Sequence, residues 1–303
     1  MNAIKPNKTA SKYGTDAFSH ILWLLKMNVS IYQNAKICGN WQVAEREIGS
    51  TCFHIVTAHE CYLKIPKIFD GIIKYGDMVI FPKEVPHTMG NTKKEKAKTE
   101  VFSFQLNKTS NDTGLLCGEI IFNHRGSDEI LKALPTAIII PYEDSKEWLT
   151  PVLDLIIKEN LGESPAKQVI LNSLSELLFI YALRYYIQVN QNKQGLLSIY
   201  ANPQIARAMN QVHLNLEKNW SLESLAKEAG LSRTTFAQKF KQLSGQTPFE
   251  YLTWLRMQLA WSLLSQGELV SEVASQVGYQ SESAFSHVFK KQFSISAGKI
   301  KPI

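Results

Sequence analysis

The sequence has few cysteines, no long apolar run and only a modest excess of charge. Its 4 cysteines among 303 residues show no CxxC spacing, so they fit a reducing compartment and do not suggest a zinc finger. No run is free of polar residues for the length of a membrane helix, and the first eighteen residues lack the apolar core of a signal peptide. We therefore expect a soluble, cytoplasmic protein with no membrane partner.

The positive charge is concentrated near the C-terminus. The formal net charge is +6, and residues 200–303 hold 11 Lys and Arg against 7 Asp and Glu, a net charge of +4. This excess supports contact with phosphate groups but does not establish it. The length of 303 residues predicts about two domains.

The last third of the chain contains the same helical pattern twice. The copies occupy residues 222–248 and 270–297. Each predicts a short helix that ends in a glycine, Gly230 or Gly278, followed within a few residues by a serine that caps the next helix. A left-handed glycine joins two helices at a steep angle, so each copy predicts a helix-turn-helix unit.

The second helix of each copy has an apolar back and a polar front. Phe236 and Phe240 lie four residues apart, as do Phe285 and Phe289, so each helix buries one aromatic stripe. The polar fronts carry Arg233, Thr234, Gln238 and Lys241 in the first copy and Glu282, Ser283, His287 and Lys290 in the second. One such helix would also fit an ordinary bundle with a solvated face. Two copies in one register favour helices that enter the major groove of DNA.

A long helix is predicted between the copies, over residues 247–266. It opens with Thr247 at the N-cap, Pro248 at the first helical position and Glu250 at the third, which is a capping box. Such a helix holds two DNA-reading units a fixed distance apart. Units about 34 Å apart meet successive major grooves on one side of the duplex.

The repeat and its linking helix resemble the DNA-binding domain of the AraC/XylS family of bacterial transcription regulators. The resemblance is carried by residues 221–248, by Tyr251, Arg256, Ala260, Leu263 and Leu264 on the linking helix, and by residues 270–293. It implies a regulator that binds double-stranded DNA. The family usually closes the second unit with a Gly and a Pro, where this chain has Ser294 and Ala297, so we expect a looser C-terminal edge.

The exposed helix faces and the resemblance together assign DNA contacts to nine residues. Those expected to face bases are Arg233, Thr234, Ala237 and Gln238 in the first unit and Glu282, Ser283 and His287 in the second. Lys241 and Lys290 are expected to contact phosphate.

Residues 31–141 show short runs of β-branched and aromatic residues separated by turn residues. The runs occupy residues 52–56, 61–65, 77–82, 99–106 and 115–122. Many short strands predict a barrel or a double-sheet roll. The pattern Gly76-x5-Pro82-x4-His87-x3-Asn91 resembles the second motif of the cupin family, with Glu84 where a glycine is usual. This resemblance implies a cupin-type sensor domain of the kind attached to some AraC-family regulators.

Cupin enzymes usually hold a metal ion with three His and one Glu. The candidate ligands are His54, His59, Glu60 and His87, but Cys52 stands where the first motif would have another histidine. Either these residues ligate iron or zinc, or His54 and His87 are hydrogen-bonded interior residues of a sensor that has lost its metal. Because the ligand set is incomplete, we predict no metal or other cofactor.

Two helices are predicted after residue 142, the second starting at Ser164 and Pro165. Apolar residues cover more than one face of residues 165–189, which indicates either a homodimer seam or packing on the barrel. The predicted fold class is α+β multidomain. Its parts are a cupin-like β-barrel sensor (residues 18–141), a helical linker and dimerisation segment (142–195) and an all-α tandem helix-turn-helix domain (200–303).

These parts predict a sequence-specific DNA-binding regulator, not an enzyme, whose sensor answers to a small molecule or an oxidant. Cys38 and Cys117 are the candidate redox switch, because some regulators with the resembling cupin sensor carry cysteines near comparable positions and respond to oxidants. A thiolate that is oxidised to sulfenic acid and then trapped by a second cysteine would be a switch if the thiol is accessible and its pKa is lowered. Both could equally be small apolar core residues, with an apolar or aromatic effector in the barrel. The alternative function is a metal-dependent cupin enzyme with an appended helical domain. An architectural DNA-binding protein is disfavoured because nearly 200 residues precede the repeat.

Overall fold

The computed structural model describes residues 16–25, 27–37, 42–45, 51–83, 85–91, 102–103, 113–122, 131, 134–190 and 195–301. These residues divide into two compact units. The sheet unit holds the described residues between 27 and 122 and between 134 and 186. The helical unit holds residues 16–25, 131 and those from 187 onward.

The sheet unit contains two antiparallel sheets. Its strands are β1 (Met27–Ile37), β2 (Gln42–Glu45), β3 (Thr51–Ala58), β4 (Glu60–Ile65), β5 (Phe69–Lys74), β6 (Met78–Phe81), β7 (His87–Gly90), β8 (Phe102–Ser103), β9 (Thr113–Phe122) and β10 (Ile138–Ile140). The first sheet has the order β10-β6-β3-β9-β1-β8 and the second the order β2-β7-β4-β5. Adjacent strands pair antiparallel throughout these described sheets.

Both sheets contribute to one apolar core. Val56 and Phe81 from the first sheet belong to the same buried cluster as Leu63 and Met89 from the second. The central strands β3 and β6 are buried along most of their length, so their sequences are nearly continuous apolar runs. This double-sheet arrangement confirms the predicted cupin-like fold.

Two helices follow β10, as predicted. They are α2 (Tyr142–Leu161) and α3 (Lys167–Val189). The Trp148 ring stacks on the Tyr181 ring with centroids 5.3 Å apart, and the Tyr185 hydroxyl donates to the Asp144 carboxylate over 2.7 Å. These contacts hold the two helices together as a pair.

The predicted start of α3 at Ser164 and Pro165 is wrong by a few residues. Ala166 has φ = 65°, in the left-handed region, and the helix begins at Lys167. The Lys167 ammonium group donates to the carbonyl oxygen of Gly162, just past the end of α2, over 2.9 Å. A cation at the carboxyl end of a helix is favoured by the helix dipole, so the turn serves α2 as well as α3.

Among the described residues, the helices with defined bounds in the helical unit are one near the N-terminus and a series near the C-terminus. These are α1 (Ala17–Leu25), α4 (Ser198–Ala201), α5 (Pro203–Leu214), α6 (Leu222–Ala229), α7 (Arg233–Ser244), α8 (Pro248–Ser265), α9 (Val270–Gln276) and α10 (Glu282–Phe293), with a final 3-10 turn at Ala297–Lys299. We call α5 to α7 the first head, α9 and α10 the second head, and α8 the linking helix.

Helix α1 packs on α5 of the first head. The amide of Ala17 donates to the side-chain oxygen of Asn210 over 2.8 Å, and Nδ1 of His20 lies 2.8 Å from Nδ1 of His213. We expected a sensor domain from residue 18, so this placement of α1 is a finding of the structure. Only Lys26 separates α1 from the first strand of the sheet unit.

Candidate DNA-binding surface

Each head contains the predicted turn. After α6, Gly230 has φ = 67° and the Leu231 amide donates to the Ala226 carbonyl over 2.9 Å. After α9, Gly278 has φ = 82° and the Tyr279 amide donates to the Ala274 carbonyl over 2.9 Å. The two turns are closed by the same hydrogen bond. The tandem helix-turn-helix prediction is therefore confirmed.

Serine side chains cap α7 and α10, the second helix of each helix-turn-helix unit, which we call the recognition helices. Ser232 accepts from the Thr235 amide over 3.2 Å at the start of α7, and Ser281 accepts from the Ala284 amide over 3.3 Å at the start of α10. Each bond satisfies one backbone donor that the first helical turn leaves without a helix partner. The caps fix the point at which each recognition helix begins.

The recognition helices are attached to the linking helix by aromatic side chains. Phe236, Phe240, Phe285 and Phe289 are fully buried. The ring of Phe240 lies 5.6 Å from that of Tyr251 on α8, and Trp261 on α8 stacks on Phe289 at 5.9 Å. Burying one such ring contributes about 1.5–3 kcal/mol. The polar faces of α7 and α10 are thus left directed away from this aromatic core.

The residues predicted to contact bases or phosphate lie on the exposed faces of these helices. Those exposed on α7 are Arg233, Thr234, Gln238 and Lys241, with Ala237 half-buried among them, and those exposed on α10 are Glu282, Ser283, His287 and Lys290. Lys239, also on α7, donates to the Gln204 side chain on α5 over 2.8 Å. Lys239 therefore points toward α5 and not outward. The nine assigned residues form one surface on each helix.

Two arginines behind the turns were not assigned a role by the sequence. Arg207 on α5 donates through Nε to the Glu228 carbonyl over 2.6 Å, and Arg256 on α8 donates through Nε to the Leu216 carbonyl over 3.1 Å. The sequence did contain a signal for these two positions. Each arginine precedes the glycine of its turn by nearly the same number of residues, so the two arginines are equivalent positions of the repeat. The repeat thus includes a third helix in each copy.

The expected looser C-terminal edge is not seen in the backbone. Ser294 ends α10 with φ = 59°, and its amide donates to the Lys290 carbonyl over 2.8 Å. Gly245 ends α7 in the same way, with φ = 81° and a 2.8 Å bond to the Lys241 carbonyl. Ser294 therefore takes the conformation that a glycine adopts without strain.

The candidate metal ligands are not brought together. The buried rings of His54 and His87 have centroids 5.3 Å apart, whereas His59 and Glu60 are exposed where β3 meets β4. Within the described residues, no group of three or more His, Cys, Asp or Glu side chains is placed to hold a metal ion. The residues present therefore do not fit the metal centre of a cupin enzyme.

The core of the sheet unit instead contains a small polar cluster. Nδ1 of His54 lies 3.0 Å from the Cys117 sulfur, and Nδ1 of His87 donates to the Val85 carbonyl over 2.8 Å. Burial, with a smaller contribution from His87, lowers the pKa of His54 to about 3, so its ring is neutral at neutral pH. Cys117 is buried. Cys38, the other half of the candidate redox switch, lies outside the described residues.

Comparison with known proteins agrees with this architecture. A cupin family matches residues 16–188, and a helix-turn-helix domain family matches residues 225–301. The combination defines a transcription regulator with an N-terminal cupin domain and a C-terminal DNA-binding domain.

Among the described residues, no helix is both long and apolar enough to cross a membrane.

Two relatives align with almost the whole chain. The HTH-type transcriptional regulator AlkR of Acinetobacter baylyi is 30% identical, with 92% of this chain and 96% of that protein covered. The RCS-specific HTH-type transcriptional activator RclR of Escherichia coli is 27% identical, with 94% of this chain and 97% of that protein covered. A crystal structure of the DNA-binding domain of AdpA with a target DNA is 31% identical over 32% of this chain and 87% of that chain, with a TM-score of 0.31.

The chain belongs to the AraC/XylS family of transcription regulators, in the group with a cupin N-terminal domain. It is a regulator and not an enzyme, because its relatives are regulators over nearly their whole length. The alternative of a metal-dependent cupin enzyme is therefore rejected.

Proposed function

We propose that α7 and α10 enter adjacent major grooves of one DNA duplex and read an operator made of two half-sites. The observation that carries this proposal is the doubled head on one linking helix, with the same capped turn in each copy. The exposed faces of α7 and α10 supply hydrogen-bonding groups for base edges, and the lysines near their ends supply charge for phosphates.

Binding-site selection from random duplexes with the full-length protein tests this proposal. Two heads in adjacent grooves select two short sequence blocks whose centres lie about 10–10.5 base pairs apart. A single selected block would contradict the use of both heads. Two blocks without a fixed separation would contradict adjacent grooves on one face of the duplex.

We also propose that the protein acts as a homodimer through α3, within the dimerisation segment at residues 142–195. Val169, Ile170 and Leu177 are exposed on α3, with exposures of 67%, 40% and 39%. Exposed apolar side chains at this helical spacing favour a second copy as the partner. A dimer brings four heads to DNA, so it binds paired operators more tightly than separate copies would.

We propose that the sheet unit controls DNA binding in response to a small molecule or to an oxidant acting on Cys38 and Cys117. The support is the contact of Cys117, a member of the apolar core cluster, with the buried ring of His54. In the oxidant case, hydrogen peroxide takes two electrons from the two thiols. The products are one disulfide and two water molecules.

The oxidant and the small molecule are distinguished by measuring DNA binding with and without hydrogen peroxide. The proteins compared are the parent and a Cys38→Ser, Cys117→Ser variant. A response in the parent that the variant lacks supports the cysteines. A response that persists in the variant rules them out. No response in the parent rules out the oxidant input. Cys52→Ser serves as the control for loss of another buried thiol.

A further inference from the structure

The two heads meet at Arg256. This side chain extends from the linking helix to the loop that joins α5 and α6 in the first head. Its Nε donates to the Leu216 carbonyl over 3.1 Å, and its Nη2 donates to the Lys218 carbonyl over 2.8 Å. These carbonyls follow the carboxyl end of α5, where the helix dipole favours a positive charge. One guanidinium group thus fixes the linking helix to the first head.

The same guanidinium group lies against the turn of the second head. Its central carbon is 5.9 Å from the centre of the Tyr279 ring, within range of a cation–π contact. A Cβ atom at Gly278 would lie 2.7 Å from Nη2 of Arg256 and 2.7 Å from the carbonyl oxygen of Glu217. The turn of the second head therefore touches both Arg256 and the loop of the first head.

This contact is local rather than part of a continuous interface. Beside it lies a groove of about 620 Å³, lined by Glu217 and Asn219 from the first head and by eight residues between 271 and 282 from the second, Tyr279 among them. Burial lowers the pKa of Arg256, whereas Tyr279 and Glu217 raise it. An arginine keeps its charge in such a setting, so all its donors stay available.

We propose that Arg256 is a positioning residue that sets the angle and distance between the two heads, and thereby the half-site spacing that the protein accepts. This inference rests on the proposed binding of adjacent grooves. Arg256 touches no DNA in this role. It acts through the loop at residues 216–218 and through Tyr279, so its loss frees the second head to sample other orientations while each head keeps its own reading face.

Lysine cannot replace arginine at this position. An ammonium group is a point charge, whereas the guanidinium group is planar, donates from two nitrogens at once and presents a flat face to an aromatic ring. Arg207 supplies a matched control in the same chain. It holds the Glu228 carbonyl next to Gly230, entirely within the first head, and does not reach the second.

The experiment uses the full-length protein and the duplex obtained by binding-site selection. Three further duplexes carry one added base pair between the half-sites, one fewer base pair, or the first half-site alone. One base pair turns the second half-site by about 35° around the duplex axis. Dissociation constants are measured by fluorescence anisotropy for the parent and for Arg256→Lys, Arg207→Lys, Tyr279→Phe and Tyr279→Leu, each after its melting temperature has been recorded.

The expected result is a loss of spacing preference in Arg256→Lys. Its affinity for the selected duplex falls about tenfold, while its affinity for the respaced duplexes and for the single half-site stays within about twofold of the parent. Arg207→Lys weakens binding to all duplexes that hold the first half-site by a similar factor and keeps the spacing preference. Tyr279→Phe behaves as the parent and Tyr279→Leu behaves as Arg256→Lys, because the ring, not the hydroxyl, faces the guanidinium group.

Two results would overturn the inference. If the parent prefers one spacing and both Arg256→Lys and Tyr279→Leu keep that preference, adjacent-groove binding stands and the role of Arg256 fails. If the parent binds all spacings equally, the two-groove proposal fails and the inference fails with it. Tyr279→Leu decides the matter if Arg256→Lys does not fold.

Discussion

Gln238 and Lys241 are both exposed on α7 but differ in what they offer to DNA. An amide pairs with base edges, whereas an ammonium group neutralises any phosphate. We expect Gln238→Ala to cost about 1–3 kcal/mol on the selected operator and to relax preference at one base pair. Lys241→Ala should weaken all sequences alike and reduce the salt dependence of binding. Selection with each variant measures this, and unchanged preference in Gln238→Ala would remove this face of α7 from base reading.

Ser294 provides a prediction about stability at the residue scale. A side chain in the left-handed region costs about 1–2 kcal/mol relative to glycine. We therefore expect Ser294→Gly to raise the free energy of unfolding by about 1 kcal/mol, as measured by urea unfolding. Ser296→Gly is the matched control. Ser296 has φ = −73°, so that change should give no gain.

At the scale of elements, α1 is joined to the first head by buried histidines. His213 also contacts the Tyr251 hydroxyl through Nε2 over 2.8 Å, which links α1 to the linking helix. Burial lowers the pKa of His20 to about 4, and burial together with the nearby His20 lowers that of His213 well below its usual value. Both rings are therefore neutral in the folded protein at neutral pH.

This arrangement predicts that acid loosens the helical unit. His20 takes up a proton near pH 6.5 in the unfolded chain but only near pH 4 in the folded protein. The free energy of unfolding therefore decreases as the pH falls from 6.5 to 4. For one imidazole group, the free energy of unfolding decreases by about 1.4 kcal/mol per pH unit. We expect His20→Leu to reduce the loss of stability between pH 6.5 and 5, measured by hydrogen exchange of α5 amides. His287→Gln, which removes an exposed histidine from α10, is the control variant.

At the scale of the whole molecule, the exposed apolar face of α3 predicts the oligomeric state. A charge at Val169, which is 67% exposed, would be forced into a seam between two copies. We expect Val169→Glu to sediment as a monomer at micromolar concentration and to lose at least about tenfold in affinity for a paired operator. Gln168→Glu places the same charge on an exposed neighbour and should remain dimeric. A parent that sediments as a monomer with and without DNA would rule out the seam.

The sequence by itself determined the two heads and strands β3, β4, β6 and β9 of the sheet core. Gly230, Gly278 and the capping box at Thr247 and Glu250 are local signals, since each satisfies backbone groups within a few residues. The continuous apolar runs of β3 and β6 are also local. Strand β5 escaped prediction because Asp70 and Gly71 interrupt its apolar pattern.

Only the tertiary structure decided the contacts between distant segments. The pairing of α1 with α5 joins residues 193 positions apart, and the contacts of Arg256 join a loop 38 to 40 positions earlier. The same arginine on a helix could face solvent, a phosphate or a carbonyl group, and no local pattern distinguishes these. The choice depends on which backbone groups the packed helices leave without partners, and packing brings those groups within reach only after the chain has folded.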